Sequence, residues 1–321
     1  MKIFTQEQVH HALRYPDFLD TLASTFGGDF TMPPRQLMQL DPEGGGHDAF
    51  AMLPAWNDQV IALKAFTYFP ENQAPDRTVY AQILLFDRSN GAPLALVDGT
   101  SVTYRRTAGV SALASRFLSR TDSEEMLLIN TGNLAPFLID AHASARPLKR
   151  IHIWGRNQQK ASELATDLGK SRPELEITAI ADIQTGCASA DLVVCATNSP
   201  HPLVHGKWIK PGTHTDFLGN HHPDRSECDS ELVVKASVWV DSKVNCFREA
   251  GEILVPIAEG NITKEHILGD LAMLCKNEAP TRSSNEEITL FKSVGSALGD
   301  LAGARAVWET SKLDQDQFSN P

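Results

Sequence analysis

The stretch EEMLLINTGNLAPFLIDAH, residues 124–142, decides the fold class of this chain. Four apolar residues, Met126 to Ile129, lead into a short polar turn, and a helical pattern follows the turn. This order of strand, turn and helix is typical of the first unit of a dinucleotide-binding domain. The usual turn of such a domain reads G-x-G-x-x-G/A, whereas Asn130 stands here in place of the first glycine.

The turn has the backbone chemistry that a pyrophosphate requires. A helix N-terminus carries unpaired N–H groups and a partial positive charge, and both attract phosphate. Gly132 lies at the middle position, where the backbone approaches the phosphates, and Ala135 lies where the helix packs on the strand. Asn tolerates a left-handed backbone best among the non-glycine residues, so Asn130 is an acceptable first residue. An ordinary strand, turn and helix without a ligand stays the alternative.

The next strand indicates which dinucleotide would bind. RIHIWG starts at Arg150, at the spacing of the second strand of a βαβ unit, and it leads into Arg156 and Asn157. An acidic residue at this place holds the ribose hydroxyls of NAD, whereas Arg and Asn suit a 2′-phosphate. The pattern favours NADPH as the cofactor and leaves NADH open. A solvated loop arginine is the alternative for Arg156.

Two patterns divide the chain. Residues 59–98 read as strands with a hairpin turn at Asn90-Gly91, and a helix follows over residues 100–120. From Met126 onward strands alternate with helices, which predicts a doubly wound parallel sheet. We therefore predict an α/β protein with a Rossmann domain at residues 119–296 and an α+β domain at residues 1–118. Residues 286–311 read as one long helix with a break at Ser-Val-Gly, and we expect residues 297–321 to complete the first domain.

Composition excludes several classes of function. The 321 residues carry a net charge of −11, which argues against nucleic acid as a partner because nucleic acid is bound by basic patches. No apolar run approaches the roughly 18 residues that span a bilayer, and the N-terminus lacks the apolar core of a signal peptide. The five cysteines include no CxxC pair, and Cys195 lies in an apolar run that predicts burial. We expect a cytoplasmic protein without a membrane partner.

Several stretches together resemble the ornithine cyclodeaminase/mu-crystallin family. They occur in the family's order and include LKAFTYFPEN, YAQILLFDRSNGAPLALVDGTSVTYRRTAGVSALA, LLINTGNLAP, IHIWGRN, VVCATNS, GNHHPDRSECD and EITLFKSVGSALGDLA. The run from TGNLAP to WGR is most similar to the Δ1-pyrroline-2-carboxylate reductase, or ketimine reductase, branch. The resemblance implies a Rossmann domain, and a first domain that binds the substrate and pairs with its partner in a homodimer.

The resemblance also implies which residues bind the substrate. Arg35 stands at the position of the family's carboxylate-binding arginine, and an arginine can pair with a carboxylate through two hydrogen bonds. Lys64 matches the family's active-site lysine, and it lies in an apolar strand where a lysine needs a partner. Arg106 would face substrate and cofactor, and Arg105 would face solvent or the dimer partner. The alternatives are a surface arginine at position 35 and a solvent-facing edge-strand lysine at position 64.

The cofactor site implied by the resemblance combines residues from both domains. Open α/β sheets bind ligands at the carboxyl ends of their strands, where most of these residues fall. The expected cofactor contacts are Arg106, Thr107, Gly132, Asn133, Leu134, Gly155, Arg156, Asn157, Ala196, Thr197, Asn198, Ser293, Val294 and Gly295.

The stretch LGNHHPDRSECD departs from the ornithine cyclodeaminases. Those enzymes have an aspartate where His221 stands here, and Asp224 instead matches a Pro-Asp pair of the mu-crystallin and ketimine reductase branches. This departure argues against cyclodeamination of ornithine and favours a simpler imine reduction, with Lys64 and Asp224 as candidate catalytic residues. His221 and His222 lack an evident third ligand, so we expect no metal site. A proton donor at position 221 is open, as is a loop histidine without such a role.

The resemblance therefore implies NAD(P)H-dependent reduction of a cyclic α-imino acid to an L-amino acid. Δ1-Pyrroline-2-carboxylate would give L-proline, and Δ1-piperideine-2-carboxylate would give L-pipecolate. One alternative is an amino-acid dehydrogenase or a reductase of open-chain imines from the same family. Another is a crystallin-like protein that binds NADPH without turnover, and the presence of both Arg35 and Lys64 argues against it.

Overall fold

The computed structural model describes residues 1–41, 47–73 and 75–318. The chain divides into two compact units, one made of Met1–Thr107 and Ser296–Pro321 and the other of Ala108–Gly295. We refer to them as unit 1 and unit 2. The division falls inside the helix Gly99–Leu118, because this 20-residue helix continues from one unit into the other. The sequence placed the division at the end of that helix, and the separate roles predicted for the two units stay predictions.

Unit 1 is built on a six-stranded mixed sheet in the order β1-β6-β5-β4-β3-β2, counted over the described residues. The central strands pair antiparallel, and the edge strand β1 runs parallel to β6. The predicted hairpin at Asn90-Gly91 is confirmed, since Gly91 has a φ of +74° and joins two antiparallel strands. The strands are β1 (Lys2–Phe4), β2 (Gln36–Gln39), β3 (Ala49–Trp56), β4 (Val60–Tyr68), β5 (Val79–Asp87) and β6 (Pro93–Asp98).

One face of this sheet is buried under helices. In β3, and in β4 as far as Lys64, every second residue is buried, as expected of strands with one covered face. The helices that begin in or belong to unit 1 are α1 (Gln6–Ala12), α2 (Asp17–Gly27), α3 (Gly99–Leu118) and α11 (Ala297–Phe318). Helix α11 packs against β3, β4, β5 and β6. Its Gly303 lets it approach α3 closely, because a Cβ there would lie 2.7 Å from Cγ1 of Val102.

Unit 2 is an eight-stranded sheet in which all the described strand pairs are parallel. The order β13-β12-β14-β11-β10-β7-β8-β9 reverses between β7 and β10, which is the switch point of a doubly wound sheet. The α/β Rossmann prediction is confirmed. The strands are β7 (Glu125–Ile129), β8 (Arg150–Trp154), β9 (Glu176–Ala179), β10 (Leu192–Cys195), β11 (His214–Phe217), β12 (Ser237–Val240), β13 (Ile267–Asp270) and β14 (Thr289–Lys292).

Helices alternate with these strands along the chain. The first, α4, follows the turn after β7, and α5 follows β8, as the sequence predicted. The helices of unit 2 are α4 (Ala135–Ala145), α5 (Gln158–Ser171), α6 (Ile183–Ser189), α7 (Ser230–Lys235), α8 (Lys243–Glu249), α9 (Gly251–Ala258) and α10 (Leu271–Cys275). Cys195 is fully buried in β10, as predicted. Within the described ranges, none of the helices is long and apolar enough to cross a bilayer.

One prediction about secondary structure is wrong. Residues 286–311 do not form a single interrupted helix, because Thr289–Lys292 is strand β14 and helix α11 starts only at Ala297. Strand β14 pairs with β11 and β12 in the middle of the sheet, and all four of its residues are buried. A buried run of four residues shows no alternation, so its sequence resembles a piece of buried helix.

Candidate active site

The turn after β7 is held by the side chain of Asn130. Its Oδ1 atom accepts a hydrogen bond from the backbone N–H of Gly132 at 2.8 Å, and its Nδ2 donates to the carbonyl of Ala196 at 2.5 Å. Asn277 is the one non-glycine residue with a positive φ in the described ranges, so Asn130 is not left-handed as its sequence position had indicated. Asn130 therefore takes the place of glycine through its side-chain hydrogen bonds. These bonds fix the turn and link the end of β7 to the end of β10 at the switch point of the sheet.

Helix α4 begins directly after this turn and fits a phosphate group. Gly132 and Asn133 are exposed, and no side chain caps the helix at its N-cap residue Leu134. Gly132 has no Cβ, which leaves the backbone accessible where a pyrophosphate would lie. The N-terminus of this 11-residue helix carries a partial positive charge that attracts an anion, while in its first turn the N–H of Ala135 donates to the carbonyl of Gly132 and Pro136 has no N–H. The residues present therefore fit a dinucleotide.

The end of β8 packs tightly against the same turn. A Cβ on Gly155 would lie 2.4 Å from Cγ2 of Thr131, so a larger residue fits only if the side chain of Thr131 or the turn itself moves. Asn157 caps helix α5, because its Oδ1 accepts from the N–H of Lys160 at 3.0 Å. Arg156 is exposed, and within the described chain its guanidinium makes no hydrogen bond or ion pair. The cap thus fixes Asn157 and leaves Arg156 as the cation available at this strand end.

A buried carboxylate that the sequence analysis missed organises the ends of β10 and β11. Oε1 of Glu227 accepts from the N–H of Thr197 at 2.6 Å, from its hydroxyl at 2.9 Å and from the thiol of Cys195 at 3.1 Å. Oε2 accepts from the N–H of Gly219 at 2.7 Å. Glu227 therefore uses both donors of Thr197, so Thr197 can offer a cofactor only its lone pairs and methyl group.

Glu227 lies next to a buried ion pair, Lys292 and Glu252. Nζ of Lys292 lies 2.8 Å from Oε2 of Glu252, and both side chains are fully buried. Oε1 of Glu252 accepts from the N–H of Glu227, and Lys292 donates to the carbonyl of Asn220. Burial raises the pKa of Glu227, and the positive charge of Lys292 opposes that rise. The pair ties the loop after β11 to β14.

A third carboxylate shapes the loop after β14. Oδ2 of Asp241 accepts from the hydroxyl of Ser293 at 2.7 Å, from the N–H of Val294 at 3.2 Å and from the N–H of Gly295 at 2.8 Å. The three predicted nicotinamide-side residues therefore give these donors to the protein itself. They can approach a cofactor through carbonyl oxygens and the Val294 side chain.

The structure brings the predicted cofactor residues of unit 2 to one edge of the sheet. Each group follows the carboxyl end of a parallel strand, and these ends meet at the same edge. The residues are Gly132, Asn133 and Leu134 after β7, Gly155, Arg156 and Asn157 after β8, Ala196, Thr197 and Asn198 after β10, and Ser293, Val294 and Gly295 after β14.

The predicted substrate lysine is buried in unit 1. Lys64 lies on β4 between β3 and β5, is 3% exposed, and shares the covered face of the sheet with Val60 and Ala62. The solvent-facing alternative is therefore wrong. Its Nζ donates to Oγ1 of Thr103 at 2.6 Å and to Oδ1 of Asp300 at 3.2 Å.

Asp300, on α11, joins the two cations that the sequence singled out. Its Oδ1 is 3.2 Å from Nζ of Lys64 and 3.1 Å from Nε of Arg106, and the Asp300 side chain is 1% exposed. Burial lowers the pKa of Lys64 to about 8; the charge of Asp300 opposes this shift, and those of Arg106 and Arg35 add to it. Sequence analysis missed Asp300, although it is the one charged residue in the otherwise small and apolar stretch ALGDLAGA, residues 297–304.

Arg35 belongs to the same charged cluster. It directly precedes β2, and its charge acts on Lys64. Arg105 is half-buried, donates to His10 and stacks its guanidinium 5.5 Å from the ring of Tyr15. Thr107 follows Arg106 on α3 and is half-buried.

The loop that carries Asp224 lies in unit 2. Asp224 and His221 are exposed, and the rings of His221 and His222 stack with centroids 4.8 Å apart. In the described part of the chain no cluster of three or more His, Cys, Asp or Glu side chains has the arrangement of a metal site. Asp224 stays a predicted catalytic residue, because it is exposed on this loop.

The comparison with known proteins names the family. The sequence model of the ornithine cyclodeaminase/mu-crystallin family matches residues 3–315. The chain belongs to this family. A Δ1-pyrroline-2-carboxylate reductase of Colwellia psychrerythraea is 47% identical over 312 residues, which cover 96% of this chain and 99% of the relative. The resemblance found in the sequence is confirmed.

Solved structures of this family share the whole fold. The Thermococcus litoralis Δ1-pyrroline-2-carboxylate reductase, in complex with NADH and L-proline, matches with a TM-score of 0.92 and 30% identity over 98% of each chain. An archaeal alanine dehydrogenase dimer with bound NAD matches with a TM-score of 0.89 and 26% identity, over 98% of this chain and 97% of the other. Both relatives hold a nicotinamide cofactor.

Proposed function

We propose that this protein is an NAD(P)H-dependent reductase that converts Δ1-pyrroline-2-carboxylate to L-proline. The observation that carries the proposal is the buried ammonium of Lys64, held beside Arg106, in a chain 47% identical to a reductase of that substrate over almost its full length. A lysine is buried only with partners, and the Thr103 and Asp300 contacts use two of its three N–H donors.

The cationic cluster suits the carboxylate of the imino acid. Lys64, Arg106 and Arg35 outnumber the single negative charge of Asp300, so the cluster has a positive surplus. We assign Arg35 and Arg106 to the substrate carboxylate, because a guanidinium can form two parallel hydrogen bonds with it. Fixing the substrate in this way contributes several kcal/mol, by order of magnitude, to lowering the barrier.

We assign the cofactor to the edge of the unit 2 sheet. The pyrophosphate would lie at Gly132, Asn133 and Leu134, and the adenosine ribose near Gly155, Arg156 and Asn157. We propose a preference for NADPH because Arg156 is an exposed guanidinium without an ion pair in the described chain, available for a 2′-phosphate. When bound, the nicotinamide supplies a hydride to the imine carbon.

The reaction also needs a proton on the imine nitrogen. We assign it to Lys64, whose pKa of about 8 makes the ammonium a usable acid near neutral pH. Asp224 is the second candidate proton donor, and Asp224→Asn tests it. Arg106 and Thr107 stay predicted contacts to substrate and cofactor.

The experiment is a panel of substrates with both reduced cofactors. Purified protein should oxidise NADPH in the presence of Δ1-pyrroline-2-carboxylate, with Δ1-piperideine-2-carboxylate as the larger cyclic substrate. Pyruvate with ammonia covers the alternative, an amino-acid dehydrogenase, which the likeness to the archaeal alanine dehydrogenase supports. Absence of turnover with every cyclic imine would reject the reductase, and tight NADPH binding without any turnover would make the protein a cofactor binder.

We also propose that the protein is a cytoplasmic homodimer. The uncovered face of the unit 1 sheet carries a row of cross-strand neighbours, Pro54, Leu63, Leu84 and Leu96, and all four are partly exposed. Trp56, Ile61 and Phe86 extend this apolar face. An apolar patch of this kind marks a protein interface. All five cysteines are free thiols, which fits a reducing compartment.

A further inference from the structure

Asp300 lies in the charged cluster of Lys64, Arg106 and Arg35, but the sequence analysis gives it no role and the proposed contacts to the substrate carboxylate do not involve it. It is 1% exposed and touches both Lys64 and Arg106 through one oxygen, Oδ1. A buried carboxylate is costly unless it is paired, and here a single carboxylate holds two cations from two different elements, β4 and α3. Removing it would leave two like charges close together without a counter-ion.

The contacts around Lys64 fix the direction of its last proton. Its Nζ is tetrahedral, and three directions are taken by Cε, by Oγ1 of Thr103 and by Oδ1 of Asp300. Thr103 is itself fixed, because its hydroxyl donates to the carbonyl of Gly99 at 2.7 Å. The fourth direction is therefore set by geometry, and it carries the remaining N–H of the ammonium ion.

We propose that Asp300 is a positioning residue of the imine reduction, which keeps Lys64 charged and aims its remaining N–H at the substrate nitrogen. This inference rests on the proposed function. In the balanced step, the hydride from the reduced cofactor forms the C–H bond at the imine carbon, and the proton of Lys64 goes to the imine nitrogen. The C=N double bond becomes a single bond, the cofactor leaves oxidised, and the Lys64 amine regains a proton from water.

The charges around Lys64 predict that the loss of Asp300 lowers the pKa of Lys64. Asp300 raises the pKa of Lys64 against the effect of burial, and Arg106 and Arg35 lower it. These are the titratable groups that act on Lys64 from α11, from α3 and from the segment before β2. Without the carboxylate, burial and the charges of Arg106 and Arg35 still lower the pKa of Lys64 and no carboxylate opposes them, so the ammonium would be lost at a lower pH.

The test compares the pH profiles of wild type and Asp300→Asn. For the wild type, kcat/KM should fall as pH rises through about 8, where Lys64 loses its proton. In Asp300→Asn this alkaline limb should move to lower pH by about one to three units, the usual effect of removing an opposite charge at contact distance. The substrate's own titration is the same for both proteins, so the difference between the profiles belongs to the enzyme. Thr103→Val, which removes a neutral partner, should lower the rate without a comparable displacement.

A second readout does not need turnover. The Cε resonance of Lys64 in protein labelled with ¹³C-lysine, assigned by its loss in Lys64→Arg, reports the titration directly. A displaced resonance in a protein that reduces no imine would support the placement of Asp300 and reject the proposed function. If folded Asp300→Asn keeps both the titration of the Lys64 resonance and the alkaline limb of the pH profile of the wild type, Asp300 is a purely structural residue. If Asp300→Asn does not fold, Arg106→Gln is compared with the double variant Asp300→Asn/Arg106→Gln. The double variant loses one positive and one negative charge, so the cluster keeps the net charge of the wild type while Lys64 loses its carboxylate partner.

Discussion

Glu227 shows how one residue can fix a binding loop without touching the ligand. Its carboxylate accepts hydrogen bonds from three residues at the ends of β10 and β11: Cys195, Thr197 and Gly219. Hydrogen bonds to a buried charge are among the stronger ones in proteins, about 1.5–3 kcal/mol each. The shape of the loop from Ala196 to Asn198 therefore depends on this one side chain.

We expect Glu227→Gln to weaken cofactor binding. The amide has one donor group, which would face either the N–H of Thr197 or that of Gly219, so at least one bond is replaced by repulsion. The Kd for NADPH should rise roughly tenfold or more, since about 1.4 kcal/mol corresponds to a factor of ten. Fluorescence titration of NADPH measures this. Glu231→Gln, on the exposed side of α7, is the matched control, and equal affinities for the two variants would contradict the role of Glu227.

Sequence reasoning found residues whose type was unusual for their surroundings and missed those that only the fold brings together. Lys64 stood out because a lysine in an apolar strand needs a partner. Asp300 is 236 residues away from Lys64 in the chain, and no local pattern connects the two. Sequence reasoning placed Asn130 correctly in the turn but expected it to act through a left-handed backbone. Its side chain acts instead, by donating to the carbonyl of Ala196 directly after β10, and no local pattern predicts that contact.

At the level of elements, the turn after β7 and the end of β8 act as one packed unit. The contact between Gly155 and Thr131 decides how the turn lies, since a Cβ would meet Cγ2 of Thr131 at 2.4 Å. The side chain of Asn130 fixes the other side of the same turn. A displaced turn would move the N-terminus of α4, where we place the pyrophosphate.

We expect Gly155→Ala to destabilise the protein by about 1–3 kcal/mol, the usual cost of overpacking, and to weaken NADPH binding. Thr131→Ser removes the Cγ2 atom that the new Cβ would meet, so the double variant should recover much of both losses. Thermal unfolding and NADPH titration of the four proteins in this cycle measure the coupling. Gly169→Ala is the control, because a Cβ at that position in α5 meets no atom within 4 Å. Additive losses in the double variant would rule out the Gly155–Thr131 contact as the cause.

Elements were predictable where they are long or alternate clearly. Helices α3, α4 and α5 and strands β4, β5 and β6 follow their sequence patterns. The sequence of strand β14 predicts helix because Thr289–Lys292 is short and all four of its residues are buried, which leaves no alternation. Strand β2 gave no signal because each of its four residues is exposed, and its place depends on pairing with β3.

At the level of the whole molecule, the apolar face of the unit 1 sheet predicts the oligomeric state. Leu84 lies in the middle of the row and pairs with Leu63 on one side and Leu96 on the other. Leu84→Glu would place a charge in the proposed dimer interface, where it would have no partner. In analytical ultracentrifugation we expect this variant to be a monomer and the wild type to be a dimer.

The control for that change lies on another surface. Leu313 is 64% exposed on α11, and Leu313→Glu should sediment with the same oligomeric mass as the wild type. A wild-type monomer at micromolar concentration would contradict the interface, and so would a Leu84→Glu variant that remains a dimer.

The route of the chain through unit 1 has a consequence for biosynthesis. Lys64 and Arg106 leave the ribosome long before Asp300, which follows Arg106 by 194 residues and arrives with α11. Unit 2 is contiguous in sequence and can fold as soon as Gly295 has emerged. Until α11 has been synthesised, the nascent first sheet has neither this covering helix nor the counter-charge of its two buried cations. The cluster of Lys64, Arg106 and Asp300 thus assembles only after the whole of unit 2 has been synthesised, and a chain that terminates before α11 would expose apolar core residues to chaperones and proteases.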